Sequence, residues 1–320
     1  VLAGDNSASD KLVVNGGAAT GTTTLKVTNV GGGGAPTVAN GIQVVDAVGG
    51  ATTDPNAFTL AGGVIKAGAY EYYLAKGGVT PGTSEDWYLR NTVAAATDPS
   101  SAGGSHASAG ATAVGTPTLP AAGSQAITLY RPEVALYAQM PNVMRQLDWM
   151  QIDEFHLRQG DQMLLGETGR LPASWGRVWG AKSVLSEAGD VSPQFDGTLG
   201  GVQIGQDIYA DGTPSGHRNH YGFYFGMARG TGEVSGTAVG MPNTDVGHLS
   251  VNAYSLAGYW THIGPSGWYT DAVVSGASLV ADTRSRDNMQ ASTHGTAVTA
   301  SIEGGLPIAI EIGRASCRGR

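Results

Sequence analysis

Between residues 174 and 310, apolar side chains fall at every second position, and glycine, asparagine or charged residues break the runs. A period of two is that of a β-strand, whose side chains alternate between its faces. Val202, Ile204 and Ile208 share one parity, while Gln203, Gly205 and Asp207 share the other. In the same way Phe223, Phe225 and Met227 oppose Gly222, Gly226 and Ala228, and Tyr254, Leu256 and Trp260 oppose Ser255, Ala257 and Thr261. One parity is large and aromatic, and the other is small or polar. A transmembrane β-barrel is written this way because lipid-facing and lumen-facing residues alternate along each strand. A soluble sandwich shares the period. Six strands can be counted over 174–310, fewer than the roughly 8 or more of a single-chain outer-membrane barrel, so the pattern predicts a truncated antiparallel transmembrane β-barrel.

The first ninety or so residues hold shorter strands, expected at 11–14, 22–30, 41–48, 57–60, 70–75 and 87–90, with glycine-rich corners between them. By parity their core is Leu25 and Val27, Ile42 and Val44, Phe58 and Leu60, then Tyr70, Tyr72, Leu74, Trp87 and Leu89. Short strands with one apolar face must stack to bury it. A parallel β-solenoid closed by a cap is one solution, since an open terminal coil would template other chains; a small independent sandwich is the other.

Residues 91–128 are almost wholly Ala, Gly, Ser, Thr and Pro without apolar periodicity, which predicts a disordered linker. A helix is expected over 141–157, with Pro141 at its first position and Met140, Val143, Leu147 and Met150 on one face. Seventeen residues at a rise of about 1.5 Å make roughly 25 Å, close to the apolar band of an outer-membrane barrel. The helix is too charged for lipid and too apolar for free water, which suits a protein-lined pore. With the aromatic parity facing lipid, the polar residues of the other parity point inward, giving Arg177, Gln203, Asp207, Asp271 and Glu303 as lumen candidates. Trp175 and Trp179 share the parity of Arg177, so either large aromatics enter the pore or the first strand carries a bulge.

Several runs resemble the autotransporters of Gram-negative bacteria: Trp175-Gly-Arg177-Val-Trp179-Gly180, Gly201-Val-Gln203-Ile-Gly205-Gln-Asp207, Gly267-Trp-Tyr269-Thr-Asp271-Ala-Val-Val274 and Ala300-Ser-Ile-Glu303-Gly-Gly-Leu-Pro307. Tyr130-Arg-Pro-Glu-Val-Ala-Leu-Tyr137 is similar to that family's entry to its pore segment. Asp10-Lys-Leu-Val-Val14, Phe58-Thr-Leu-Ala-Gly62, Gly68-Ala-Tyr-Glu-Tyr-Tyr-Leu74 and Asp86-Trp-Tyr-Leu-Arg90 resemble a pertactin-type C-terminal passenger module. The resemblance implies an all-β chain: the end of a right-handed parallel β-helix passenger with its folding cap, then a pore helix and part of the barrel. It divides the sequence into a passenger module at 1–91, a linker at 92–129, a pore-helix segment at 130–173 and a partial barrel at 174–310. Residues 311–320 resemble the translation of a sequencing adapter and are expected to be a non-native tail.

That resemblance implies a translocator for the secretion and surface display of the chain's own passenger, sited in the bacterial outer membrane. Its partners would be outer-membrane lipid, the passenger, the barrel-assembly machinery and periplasmic chaperones, with host surface ligands reached through the passenger. A surface adhesin and an outer-membrane barrel protease are the alternatives. Val1 starts in mid-pattern without a signal peptide, so a fragment open at both ends is expected.

Charge and composition narrow the chemistry. A formal net charge of −8 offers nucleic acid no broad positive surface, and the 50 glycines with 14% charged residues favour turn-rich β structure. The single cysteine, Cys317, lies in the tail and gives neither a disulfide framework nor a thiolate metal site. No run of 18 apolar residues predicts a transmembrane helix. A G-x-S-x-G elbow and an H-E-x-x-H motif are both missing from the sequence, and 31–34 is glycine without the Lys-Ser or Lys-Thr of a phosphate loop. His217 and His220 are spaced like ligands but read as solvated turn residues, and Asp153 and Glu154 as a charged helix face. No cofactor, metal or catalytic residue is expected.

Overall fold

A computed structural model describes residues 1–94, 126–152 and 168–307. Most of the linker, the expected helix beyond residue 152 with Asp153 and Glu154, and the tail lie outside the described residues.

Three short strands, β1 (Leu12–Asn15), β2 (Ala18–Ala19) and β3 (Thr23–Leu25), are followed by β4 (Ile42–Val48), β5 (Thr52–Thr53) and β6 (Phe58–Leu60). They pair in order and in parallel, with Leu12 opposite Val45, Ala18 opposite Thr52 and Thr23 opposite Phe58. The chain therefore makes two stacked turns, each with three strand pieces. Three further strands, β7 (Val64–Ala67), β8 (Tyr70–Lys76) and β9 (Trp87–Arg90), close the stack as an antiparallel meander on β4, in the order β1-β4-β9-β8-β7. The free edge of β4 is thereby covered, which removes a template for pairing.

Inside the stack lie Ile42, Val44, Val45, Phe58, Leu60, Tyr72, Trp87 and Leu89, all buried, with Leu25, Val27, Tyr70 and Leu74 partly buried at its margin. Trp87 meets Phe58 edge to face at 5.4 Å and donates its indole N–H to Thr53 Oγ1 at 3.1 Å. β8 and β9 are also buried on their second face, where Tyr73 and Ala75 pack with Leu129 beside Val93 and Val239. Period-two parity identifies only one buried face, and this second face is covered by the rest of the molecule.

β10 (Thr92–Ala94) pairs antiparallel with β11 (Ala126–Thr128), so the chain leaves and re-enters at one place. Next comes α1 (Pro132–Trp149), which begins nine positions before the expected start and carries Pro141 in its interior. Pro132 takes the first-turn position for which proline is pre-organised. An interior proline costs about 3 kcal/mol or more through its missing N–H and its ring. The helix continues because Ala135, Leu136, Val143 and Leu147, on both sides of Pro141, are fully buried, and burying a large apolar side chain returns about 1.5–3 kcal/mol each.

The remaining strands are β12 (Gly169–Arg170), β13 (Ser174–Ser186), β14 (Gln194–Gly212), β15 (Arg218–Ala238), β16 (Met241–Ile263), β17 (Tyr269–Ser285) and β18 (Gln290–Gly305). From β13 to β18 each pairs antiparallel with the next, and the sheet curls so that α1 touches β14, β15, β16, β17 and β18. Val178 (81% exposed), Ile204, Phe225, Leu256, Val298 (83%) and Ile302 point away from the helix, whereas Leu199, Tyr224, Ala253 and Leu279 are buried on its side. The greasy face is therefore outside, as a wall in lipid requires, and the sheet is a curled antiparallel half-barrel. No described helix is long and apolar enough to cross a membrane.

Candidate functional site

The concave side of the sheet is small where the helix comes close. A Cβ on Gly236 would lie 2.7 Å from the Ala135 Cβ, and one on Gly230 would lie 2.6 Å from Leu199 and 3.5 Å from Val143. Only glycine leaves room there for both the helix and the strand.

Six polar contacts then tie the helix segment to six strands. Gln139 donates to Leu185 O on β13 at 3.1 Å. The Gln151 carbonyl, just past the helix, accepts from Gln203 on β14 and from the Tyr224 hydroxyl on β15 at 3.0 Å. Ser255 on β16 donates to Gln151 Oε1 at 2.8 Å, Ser285 on β17 to Glu133 Oε1 at 2.8 Å, and Thr299 on β18 to Asp148 Oδ2 at 2.5 Å. Each bond satisfies a group that burial would otherwise leave costly.

Below the helix end, Asp207 is fully buried; its Oδ2 meets His220 Nδ1 at 2.8 Å and its Oδ1 accepts from the Tyr259 hydroxyl at 2.5 Å. That hydroxyl accepts in turn from the Trp175 indole at 3.0 Å. These bonds occupy polar atoms that burial would otherwise leave without partners.

Gln203, Asp207 and Asp271 are buried on the concave side of the sheet, and Arg177 and Glu303 are half-buried there. Gln203 reaches the helix end directly. Asp271 accepts from Thr261 at 2.5 Å and Glu303 accepts from Tyr269, both within the wall. Arg177 lies 6.0 Å from the Trp179 ring. Trp175 and Trp179 do face inward, for β13 pairs with β14 from Ser174 to Ser186 without a register shift. The bulge lies on β14 instead, between Asp207 and Tyr209, and it puts Ile208 and Tyr209 both on the outer surface. Of the helix face, Val143 and Leu147 are fully buried, while Met140 and Met150 pack partly buried beside them.

The two histidines do not behave as solvated turn residues. His220 is fully buried because the pairing of β14 with β15 brings Asp207 to it, and His217 lies against His262, Nδ1 to Nε2, at 3.1 Å. Ser255 falls where its small, polar parity places it; Gln151, Tyr224 and Tyr259 were not singled out in the sequence, although Tyr224 and Tyr259 do fall on the inward parity, which is the signal that could have found them. Among the described residues no cluster of three or more His, Cys, Asp or Glu could hold a metal ion.

At the other end of the helix the N-terminal unit docks on the rim. The Glu71 amide donates to Leu129 O at 3.0 Å, the Arg131 amide to Ala69 O at 3.0 Å and the Val239 amide to Tyr130 O at 2.8 Å. Tyr70 stacks on Tyr130 with ring centres 5.5 Å apart. Lys66 bridges Asp287, in the turn after β17, and lies 3.4 Å from Glu71. Burial pushes the Glu71 carboxyl above the usual range, offset in part by the Lys66 charge. Burial works against the Lys66 ammonium, but the hydrogen bond to Asp287 and the charges of Glu71, Asp287 and Glu133 outweigh it and hold Lys66 above its ordinary value. Burial likewise raises the Tyr73 phenol to about 12, with Arg90 offsetting part of the rise.

Comparison with known proteins supplies the context. Residues 1–74 match the family model of the Autochaperone Domain Type 1, and residues 174–316 that of the Autotransporter beta-domain. The chain is 29% identical over 327 residues to the uncharacterized protein YdeU of Escherichia coli K12, covering 95% of this chain and 61% of that protein. It is 29% identical over 293 residues to the Adhesin BmaC autotransporter of Brucella suis biovar 1, covering 85% of this chain and 8% of that protein. It is 44% identical over 93 residues to the probable autotransporter YfaL of Escherichia coli K12, covering 28% of this chain and 7% of that protein. This chain thus spans under two thirds of the length of each. No solved structure matches it.

Proposed function

From a chain that carries an autotransporter β-domain together with an autochaperone module, we propose that the translocator exports its own passenger and that residues 1–91 promote passenger folding at the cell surface. The β-domain lies in the bacterial outer membrane, with its passenger displayed outside. The observation that carries the proposal is the path of α1. With Gln151 just past its end it is tied to six strands, and it runs along the concave face of the sheet from the docked N-terminal unit at one end to the start of β13 beyond the other. A passenger led through the wall would leave its last segment in that position.

The stacked parallel pairs of β1 with β4, β2 with β5 and β3 with β6 support reading this unit as the end of a β-helix passenger, with β7 to β9 as its cap. In this scheme 92–129 links the passenger to a pore segment at 130–173 and a barrel at 174–310, and 311–320 is a tail. Arg177, Gln203, Asp207, Asp271 and Glu303 serve the lumen, and Met140, Val143, Leu147 and Met150 seat the helix. The barrel-assembly machinery and periplasmic chaperones are the partners a β-wall of this kind requires before insertion.

The test uses the full-length protein with an epitope ahead of Val1. Protease added to intact cells should reach the epitope, and removing 1–91 should leave the barrel inserted but the exposed passenger unfolded. An epitope shielded in intact cells would overturn the export reading; a folded passenger without 1–91 would overturn the folding role alone.

A second reading, an adhesive passenger, is favoured by the name of the Brucella relative. Cells displaying the full-length protein should then bind host tissue more than cells displaying the β-domain alone, and equal binding would remove this reading.

A further inference from the structure

The outer surface of the sheet changes character along the strands. Val178, Val202, Met227 and Tyr254 form one continuous outward row across β13 to β16, set by their register, and all four are exposed. One row closer to the N-terminal unit the same strands present Gly180, Gly200, Arg229 and Asn252. The next row presents Lys182, Thr198 and Thr231, with Ser250 buried beside them. The apolar band therefore ends abruptly, and its first polar rows carry two cations on the strands that flank β14. At the height of Arg229, β17 and β18 offer only Val280 and His294, so the cationic feature is local to β13–β15.

Between the two cations the surface is hollow. Gly180 and Gly200 lie opposite each other without side chains, and a shallow cleft of about 510 Å³ opens over them, with Lys182, Thr198, Thr231 and Arg229 on its walls. The Lys182 side chain is 71% exposed and pairs with Asp196, itself 56% exposed, at 3.3 Å, while Arg229 contacts Asn252 at 3.4 Å. An exposed pair of that kind has little net strength and yields to a competing anion.

We propose that this cleft binds the phosphate of an anionic lipid headgroup in the leaflet on the side of the N-terminal unit. Lys182 and Arg229 neutralise the phosphate from two sides, the Thr198 hydroxyl donates to its oxygens, and the glycine floor lets it approach the sheet. The acyl chains run down over Val178, Val202 and Met227, the apolar row directly beneath. Long basic side chains at the end of an apolar band place their charge at headgroup level in this way, and basic residues there attract anionic lipid. A free phosphate ion would lack the apolar row, so the lipid is the ligand.

Full-length protein folded in detergent micelles tests this by native mass spectrometry, with dioleoyl phosphatidic acid, dioleoylglycerol and inorganic phosphate as probes. Wild-type protein should prefer the phosphatidic acid to the dioleoylglycerol by at least about tenfold, each cation contributing roughly fivefold. The double variant K182Q/R229Q should lose most of that preference, and R284Q, in the polar collar but away from the cleft, should keep it. Gly180→Phe gives an independent variant: a Cβ there meets only Leu199 O at 3.8 Å, so the ring fits outward and fills the cleft while leaving both charged residues in place. It too should abolish the preference. Heat-modifiable migration on gels verifies that each variant is folded before binding is read. An unchanged preference in K182Q/R229Q or in Gly180→Phe would overturn the proposal. So would an equal loss in R284Q, which would mean diffuse charge, or inorganic phosphate binding as tightly as the lipid, which would mean a free-anion site.

Discussion

Lys66 and Asp287, 221 positions apart, form an ion pair that joins the N-terminal unit to the turn between β17 and β18. The two side chains are 30% and 37% exposed, so water and salt screen the attraction. Exposed pairs contribute about 0.2–1 kcal/mol. A double-mutant cycle with Lys66→Ala and Asp287→Ala should give a coupling below about 1 kcal/mol that disappears in molar salt. The apolar contact of Tyr73 with Leu129 should matter more, since truncating a buried aromatic costs about 3–5 kcal/mol. Hydrogen exchange at the Glu71 and Arg131 amides reads both. A larger loss of protection from Lys66→Ala than from Tyr73→Ala would reverse this order.

Glu71 carries a pH dependence whose sign follows from its surroundings. Its carboxyl is raised above 4.5 when the unit is folded and docked, chiefly by burial. Its contribution to stability is therefore fully present below that value and is lost as pH rises through the folded pKa. Glu71→Gln, neutral at every pH, should match wild type at pH 4 and be the more stable of the two at pH 7. Unfolding midpoints of the N-terminal unit across that range decide the matter; a variant that is weaker at pH 7 would show that the Lys66 contact outweighs the burial.

The core of the cap makes a third prediction. Trp87 is 3% exposed, packs on Phe58 and donates to Thr53. Trp87→Ala should cost about 3–5 kcal/mol, leaving a full-length barrel heat-modifiable while the folded passenger at the surface falls. Undiminished folded passenger would separate the cap from passenger folding.

The lipid boundary can be mapped along one strand and one face. Leu256 lies in the apolar band of β16 and Asn252 lies four residues nearer the N-terminal unit, beyond the band. An arginine near the bilayer midplane costs about 2–4 kcal/mol and near the interface about 0–1. Leu256→Arg should therefore impair barrel assembly far more than Asn252→Arg. Ser255→Arg is no neutral control, because Ser255 is buried against Gln151. Equal recovery of folded Leu256→Arg and Asn252→Arg barrels would mean that the outer face is not lipid-exposed.

What was legible in the sequence follows from periodicity and reach. The alternation at Ile204, Phe225 and Leu256 is long and strict because lipid enforces it on every second residue, so the inside and outside of β14 to β16 could be read directly. The two-residue strands Ala18–Ala19 and Thr52–Thr53 carry no period and were missed. Pro132 and Pro141 offer the same local start signal, and only the buried residues around both decide between them. The meeting of His220 with Asp207 depends on how β14 pairs with β15 beyond a bulge, which no local pattern encodes. The second buried face of β8 and β9 depends on docking, which lies outside the strands themselves.

The pairing of β10 with β11 changes what a cut in the chain would accomplish. Thr92 lies opposite Thr128 and Ala94 opposite Ala126, while the Leu129 amide donates to Asn91 O at 2.7 Å. Both sides of any break between Ala94 and Ala126 are thus stitched into one sheet, and the Tyr73–Leu129 contact adds to the seam. A two-stranded ribbon alone is marginal in water, so the docked face keeps it closed. A nicked protein should migrate as one species on a native gel and as two after boiling; two species on the native gel would show that the seam does not hold. Cleavage there should alter connectivity without causing shedding, which would make release a separate event governed by how fast the seam opens.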